Sequence, residues 1–350
     1  MWNLCTDPRS HQAGGTEHLA SLCSTPFSAE QVCAFRSPAL AAVATAGLGL
    51  GVGKSDADAI SLVRLALDLG VNFFDTAEAY GTEDVLGRAL IGVSRERLVI
   101  SSKSRILDPN GKPLPRDTVV SNLEQSLRRL GLERIDVFQL HAVQLKHYDY
   151  VLSELVPALQ QQRQQGKIGH LGISETPPRD PEQAMLTRAL DDSCWEVMML
   201  AFHMMNQGPR DTIFPRTLAR GIGTLLMFVV RNIFSRADAL RDTIGQLVRK
   251  GELPEALQHE SDPLGFLIHE GGASSLTDAA YRFARHEPGA DVVLFGTGDQ
   301  HHLRRNVESL LRPPLPVRDC DRLRSLFGRL RGVGLVSPEQ TTTGIPLQSV

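Results

Sequence analysis

Residues 56–75 read DADAISLVRLALDLGVNFFD, and the reading of this stretch sets the architecture. From Asp56 to Leu69 the apolar residues Ile60, Val63 and Leu67, and beside them Leu62, Leu65 and Leu69, recur at three- and four-residue steps. That is the spacing of a helix with one buried face. Gly70 stands where a helix C-terminus favours glycine. Val71 to Asp75 then breaks the period with a short apolar run, which reads as a strand.

Working outward, the same alternation fills most of the chain. Strand-like runs fall at Val43 to Leu50, Val71 to Asp75, Leu98 to Ser102, Ile135 to Leu140, Ile168 to Ile173, Val197 to Phe202, Thr224 to Phe228 and Val292 to Phe295. Amphipathic stretches lie between most of them, among them Arg116 to Leu130 and Val151 to Gln165. Eight strands, each followed by a helix, predict an α/β fold of the (β/α)8 TIM-barrel type; a Rossmann sheet would use about six. The barrel is assigned to residues 41–312 as one domain, with residues 1–40 as an unstructured extension and 313–350 as a Pro-containing tail. The interval between strands seven and eight is about twice the others, which marks an insertion at about residues 230–272 with an extra helix over Arg236 to Lys250. Such an insertion either walls a pocket at the strand C-termini or decorates the periphery.

Composition narrows the class. In 350 residues, 42% hydrophobic and 22% charged content supports a buried core and excludes a highly charged disordered chain. Lys plus Arg at 37 against Asp plus Glu at 40 leaves no basic field for a polyanion, so nucleic acid is not an expected partner. The longest uncharged run, Ser37 to Gly53, contains Pro38 and falls short of the ~20 apolar residues of a membrane helix. No membrane span is expected, and 36 mostly polar residues before that run do not resemble a signal peptide. Five dispersed cysteines without a CxxC pair point to a reducing, cytoplasmic setting.

Chemistry concentrates in residues 72–81, NFFDTAEAYG. Asp75 closes the second strand and Tyr80 lies in the loop after it; Lys103 follows the third strand and His141 the fourth. Each has an ordinary explanation alone: a helix cap, a solvated lysine, a core histidine. Four ionisable residues closing three consecutive strands are harder to dismiss, because barrel active sites form at strand C-termini. An isolated tyrosine has a pKa of about 10. A nearby ammonium favours the phenolate and a carboxylate keeps that ammonium charged. Tyr80 is therefore the expected general acid/base, Lys103 its partner and Asp75 the anchor of Lys103, with His141 positioned to polarise an oxygen. No metal is expected: adjacent His301 and His302 diverge on a helix and have no ligand partner at metal spacing.

DTAEAYG, SSK and QLHA resemble, in order and context, the signatures of the aldo-keto reductases, and the resemblance runs from about Ala46 to Leu311. It implies hydride transfer between a nicotinamide cofactor and a carbonyl or alcohol carbon of a small-molecule substrate, with Tyr80 moving the proton. The alternative it leaves is a barrel that binds the cofactor but hardly turns over, serving regulation. Gly172-Ile-Ser-Glu175 resembles the family's Gly-x-Ser-Asn; Ser174 matches and Glu175 does not. The family's strand-six glutamine falls at Met199, and its stacking aromatic at Met227, or at Phe228 if the register slips by one.

The segment Phe295-Gly-Thr-Gly298 with His302, Arg305 and Asn306 resembles the family's phosphate and adenine site, where Gly296, Thr297 and Gly298 would offer N–H groups at a helix N-terminus. Residues 47–55, GLGLGVGKS, fail both nucleotide-loop spacings, yet Gly49 and Leu50 are kept as backbone that a cofactor can approach. Eight arginines against three acids in residues 301–335, with Arg304 and Arg305 in reach of a 2′-phosphate, favour NADP over NAD; a solvated basic face accounts for the same excess. The substrate and the oligomeric state are not legible.

Overall fold

The computed structural model describes residues 41–177 and 179–335 apart from 45–54, with residues 41–44 as backbone only. Eight parallel strands close a barrel in sequence order: β1 Ala41–Ala44, β2 Phe73–Asp75, β3 Val99–Arg105, β4 Ile135–His141, β5 Ile168–Ser174, β6 Val197–Ala201, β7 Gly223–Met227 and β8 Val292–Phe295. Closure is made where β1 pairs with both β2 and β8. Around the strands lie α1 Asp56–Asp68, α2 Glu83–Ala89, α3 Arg116–Leu130, α4 Val156–Gln164, α5 Ala184–Ala189, α6 Phe214–Arg220, α7 Ala237–Arg249, α8 Leu276–Arg285 and α9 Gln300–Leu311.

The sequence period explains the layers. In α1, Ser55 caps the N-terminus by accepting from the Asp58 N–H, and Ala59, Leu62, Val63 and Ala66 bury one face. Gly70 takes φ +86°, which an L side chain resists, and turns the chain into β2. Along the strands the period is two: Val197 and Met199 fill the barrel interior with Phe73, Val137, Leu225, Val292 and Leu294, whereas Met198 and Leu200 join the larger core under the helices.

Above this dry layer the interior turns polar. Asp75 is level with Ser101, Lys103 with Gln139, and Gln139 with Gly172, so the strand ends of β2 to β5 place a polar belt at the C-terminal mouth.

Two expectations need adjustment. The first strand is Ala41–Ala44, earlier than the expected Val43 to Leu50, because its register is set by pairing with β2 and β8; positions 45–50 lie outside the described residues. Within the expected Pro-containing tail, residues 313–335 pack on the barrel: α10, Val317–Phe327, buries Leu323 and Phe327, and the Leu323 carbonyl accepts from Gln207 Nε2 at 3.1 Å. The prolines before it begin the helix, since Pro316 is its N-cap residue. Residues 1–40, expected as an extension, lie outside the described residues. Between β7 and β8 the chain forms a short helix at Asn232–Ser235, then α7, two 3-10 turns and α8.

One close approach gives a stability test. A Cβ on Gly87 of α2 would stand 2.7 Å from the Arg129 carbonyl oxygen and 2.8 Å from that of Leu130, at the end of α3. Gly→Ala in a free helix gains about 1 kcal/mol, but overpacking costs about 1–3 kcal/mol. Gly87→Ala is expected to lower the urea unfolding midpoint; a raised midpoint would show that α2 and α3 are not so closely apposed.

Candidate active site

Register delivers the catalytic groups to one place. Asp75 ends β2 opposite Ser101, and Lys103 stands two residues further on the same face of β3. The Lys103 Nζ donates to Asp75 Oδ2 at 2.6 Å and to the Thr76 carbonyl at 2.7 Å. After Asp75 the chain makes a 3-10 turn, Glu78–Tyr80, closed by Gly81 at φ +66°, and this turn swings Tyr80 back over the barrel. The Lys103 ammonium lies 5.1 Å from the centre of the Tyr80 ring, and the His141 ring meets Tyr80 edge to face at 5.6 Å. Asp75, Tyr80, Lys103 and His141 therefore form one cluster.

Burial dominates the electrostatics. It pushes the Asp75 carboxyl up, opposed by the Lys103 charge and the Ser101 hydroxyl. Burial also works against the Lys103 charge, yet Asp75 and Tyr80 outweigh it and hold the ammonium above its usual range. The Tyr80 phenol is raised by burial, with Lys103 pulling it down. The lowering expected from Lys103 is thus present but smaller than the desolvation, and Tyr80 is a neutral acid at neutral pH. His141 is pushed down to about 3, first by burial and then by the charges of Lys103 and Arg105, so its imidazole is neutral and offers one N–H.

A cavity of about 970 Å³ opens from this cluster. Its wall runs from Asp75 and Tyr80 past Met199 and Met227 to Gly296, Thr297, His302, Arg305 and Asn306. Lys103 is fully buried behind the wall, and His141, Ser174 and Gly298 are not among the lining residues. Both candidate positions after strand seven, Met227 and Phe228, line the cavity. Gly49 and Leu50 lie outside the described residues.

The helix that follows the expected cradle carries its own cap. Asp299 caps α9 by accepting the His302 N–H at 2.8 Å, and its own N–H donates to Thr297 Oγ1 at 3.1 Å. That carboxylate, held below its usual range chiefly by the His302 N–H, already supplies the negative charge the helix start favours.

Arg231 and Phe228 were not singled out as a pair in the sequence. The Arg231 guanidinium lies 4.1 Å from the Phe228 ring centre, both line the cavity, and Phe228 takes φ +64°. The available signal was a lone charge in the apolar run that follows β7.

On the β5 side, Ser174 Oγ accepts the Ala142 N–H at 2.8 Å. Glu175, 3% exposed, accepts the Ala201 N–H on Oε1 at 2.7 Å, and its buried Oε2 has no hydrogen-bond partner among the described residues. Burial, against the pull of the Ala201 N–H, raises this carboxyl to about 8. Its folded-state value exceeds the unfolded one, so the proton it keeps contributes stability that is full below about 4.5 and lost as pH rises towards 8. The slope for one such group is about 1.4 kcal/mol per pH unit. Glu175→Gln is expected to lose less melting temperature than the parent between pH 5 and pH 8; parallel curves would show that Glu175 is ionised in the folded state.

Comparison with known proteins agrees with this architecture. The model of the aldo/keto reductase family matches residues 45–327. Among curated proteins, L-galactose dehydrogenase of Arabidopsis thaliana is 28% identical over 171 residues, covering 47% of this chain and 53% of that protein. D-threo-aldose 1-dehydrogenase of a Pseudomonas species is 27% identical over 226 residues, covering 56% and 66%. L-glyceraldehyde 3-phosphate reductase of Escherichia coli K12 is 31% identical over 163 residues, covering 42% and 45%. The chain thus spans about half to two thirds of the length of these relatives. Among solved structures, the holo form of a Bacillus halodurans aldo-keto reductase superposes with a TM-score of 0.63 at 21% identity, covering 83% of this chain and 92% of that one. A Klebsiella pneumoniae aldo/keto reductase in complex with NADP and acetate gives 0.61 at 21% identity, covering 83% and 91%, so the fold is shared. With the family model spanning nearly the whole described barrel and the Asp75, Tyr80, Lys103 and His141 cluster at its mouth, this chain belongs to the aldo/keto reductase family.

Proposed function

We propose that the chain is an NAD(P)H-dependent oxidoreductase that interconverts a carbonyl and an alcohol, with Tyr80 as general acid/base. The observation that carries this reading is the clustering of a neutral phenol, a buried ammonium anchored by Asp75 and a neutral imidazole, with the phenol and Asp75 on the wall of a cavity. A cavity of about 970 Å³ whose wall includes Tyr80 as well as Arg305, His302 and Asn306 has room for a dinucleotide. We favour NADP: Arg305 on the wall can meet a 2′-phosphate, and a fold relative from Klebsiella pneumoniae was solved with NADP.

When bound, the nicotinamide would supply or accept the hydride. In the reducing direction the His141 N–H would hold the substrate oxygen against Tyr80 and stabilise its growing negative charge. Tyr80, kept protonated by burial, would donate its proton to that oxygen, and the Lys103 charge would stabilise the phenolate left behind. In the oxidising direction the phenolate would take the alcohol proton. Asp75 keeps Lys103 charged in both directions.

A second reading, a cofactor-binding barrel with little turnover, draws support from the nicotinamide side, where Met199 and Met227 line the wall and Glu175 is committed to the Ala201 backbone. Five dispersed cysteines favour a cytoplasmic setting.

NADPH is expected to quench the intrinsic fluorescence of the purified chain, and its absorbance to fall with at least one member of a panel of aldehydes, ketones and sugars. Tyr80→Phe should cut kcat by about 10²–10⁴-fold and leave NADPH affinity intact. Quenching without turnover on any carbonyl would favour the second reading, and full activity of the phenylalanine variant would remove Tyr80 from its role.

A further inference from the structure

Gln139 lies in the barrel interior, on β4, with 0% exposure, one layer above the apolar Val137. Its Nε2 donates to Ser101 Oγ at 2.9 Å, and Ser101 Oγ donates to Asp75 Oδ1 at 2.8 Å. Asp75 Oδ2 receives the Lys103 ammonium. The Gln139 Oε1 is buried without a hydrogen-bond partner among the described residues.

Proton counting fixes the direction of this chain. A serine hydroxyl has one proton, and an amide NH2 can only donate. With Gln139 donating to it, Ser101 must accept there and spend its proton on Asp75. If the amide were reversed, Ser101 would give its proton to Gln139 and turn a lone pair towards an ionised carboxylate. The Asp75 charge therefore selects the observed orientation, at the cost of leaving the amide oxygen unpaired. A leucine would fill the same space without that cost. Room for the longer side chain comes from β5, where a Cβ on Gly172 would come within 2.8 Å of Gln139 Cγ.

We propose that Gln139 is a positioning residue: by orienting the Ser101 hydroxyl it keeps Asp75 ionised, and so keeps Lys103 charged beside Tyr80. The proposal rests on the oxidoreductase reading above and deepens it. The titratable groups that bear on the network are Asp75 from β2, Tyr80 from the loop after it, Lys103 from β3 and His141 from β4; Arg105, at the end of β3, acts on His141. Loss of the Ser101 donation raises the pH at which Asp75 takes a proton and releases its hold on Lys103.

The test is a double-mutant cycle on the full chain with Gln139→Met, Ser101→Ala and both together. Rates with NADPH and 4-nitrobenzaldehyde are followed across pH, alongside NADPH binding by fluorescence quenching and folding by circular dichroism. Ser101→Ala is expected to move the acid limb of kcat/KM up by about one pH unit, a tenfold loss on that limb, and Gln139→Met, which leaves the hydroxyl in place but unoriented, to move it the same way by less, with NADPH affinity unchanged in both. The double variant should be no worse than Ser101→Ala alone, because Gln139 acts only through that hydroxyl. Gln139→Glu, of equal size, should work at low pH, where its acid still donates, and lose activity as its carboxylate forms and reverses the chain.

Additive losses, or the parent pH profile in both Gln139→Met and Gln139→Glu, would overturn the proposal. Should neither the parent nor any variant reduce the aldehyde, the oxidoreductase reading fails on that probe, and the relay is judged on acid unfolding instead. There the single variants should unfold at higher pH and the double variant no higher; additive shifts would overturn the relay by itself.

Discussion

The ion pair between Asp75 and Lys103 is the constraint around which the mouth of the barrel is arranged. Both side chains are essentially removed from water, at 3% and 0% exposure. Two charges in that position bring little net stability, because their desolvation offsets their attraction; removing one partner costs about 3–5 kcal/mol, since the other is left charged and alone. Every remaining lone pair and proton must be satisfied. The Thr76 carbonyl takes a second Lys103 proton, and the Ser101 hydroxyl serves the second Asp75 oxygen. The parallel register of β2, β3 and β4 makes this possible, because it stacks inward-facing residues of neighbouring strands in one layer.

Backbone strain gathers at the same end. Three non-glycine residues among those described have positive φ, and two of them directly follow barrel strands at the mouth: Ala142 after β4 and Phe228 after β7. Conformations of this kind persist where surrounding contacts fix them. For Ala142 the contact is its N–H bound by Ser174 Oγ, which ties the residue after His141 to the end of β5. Phe228 is held under the Arg231 guanidinium. The rigid barrel thus places His141 by more than its own side-chain packing.

What the sequence made legible follows from how local each signal is. Asp75, Lys103 and His141 each close an apolar strand, and Tyr80 sits in a short turn after one, so chain order alone located them. Gln139 and Ser101 stand in the sequence as strand residues inside the QLHA and SSK motifs with no role of their own, because their partners are on other strands and become neighbours only through register. Glu175 was noticed as a mismatch, but its bond to the Ala201 N–H joins β5 to β6 and has no trace in either segment alone. α10 was missed for a different reason: the prolines before it looked like the end of structure, while Pro316 occupies a cap position where its missing N–H costs nothing. Gly298 goes with Gly296 and Thr297 by pattern, whereas the Asp299 cap of α9 is a local contact that the pattern does not carry.

The balance of charge at the mouth bears on direction. Burial favours the neutral forms of Tyr80, His141 and Glu175, and only the Asp75–Lys103 pair resists it, because each member supplies the other's counter-charge. An oxygen that gains negative charge beside Tyr80 and His141 therefore meets two neutral donors and the field of one ammonium, with no exposed anion in the cluster to oppose it. Preorganised donors of this kind need no rearrangement as the charge grows. On the proposed chemistry, a phenol held protonated by burial would suit proton donation to a carbonyl oxygen near neutral pH.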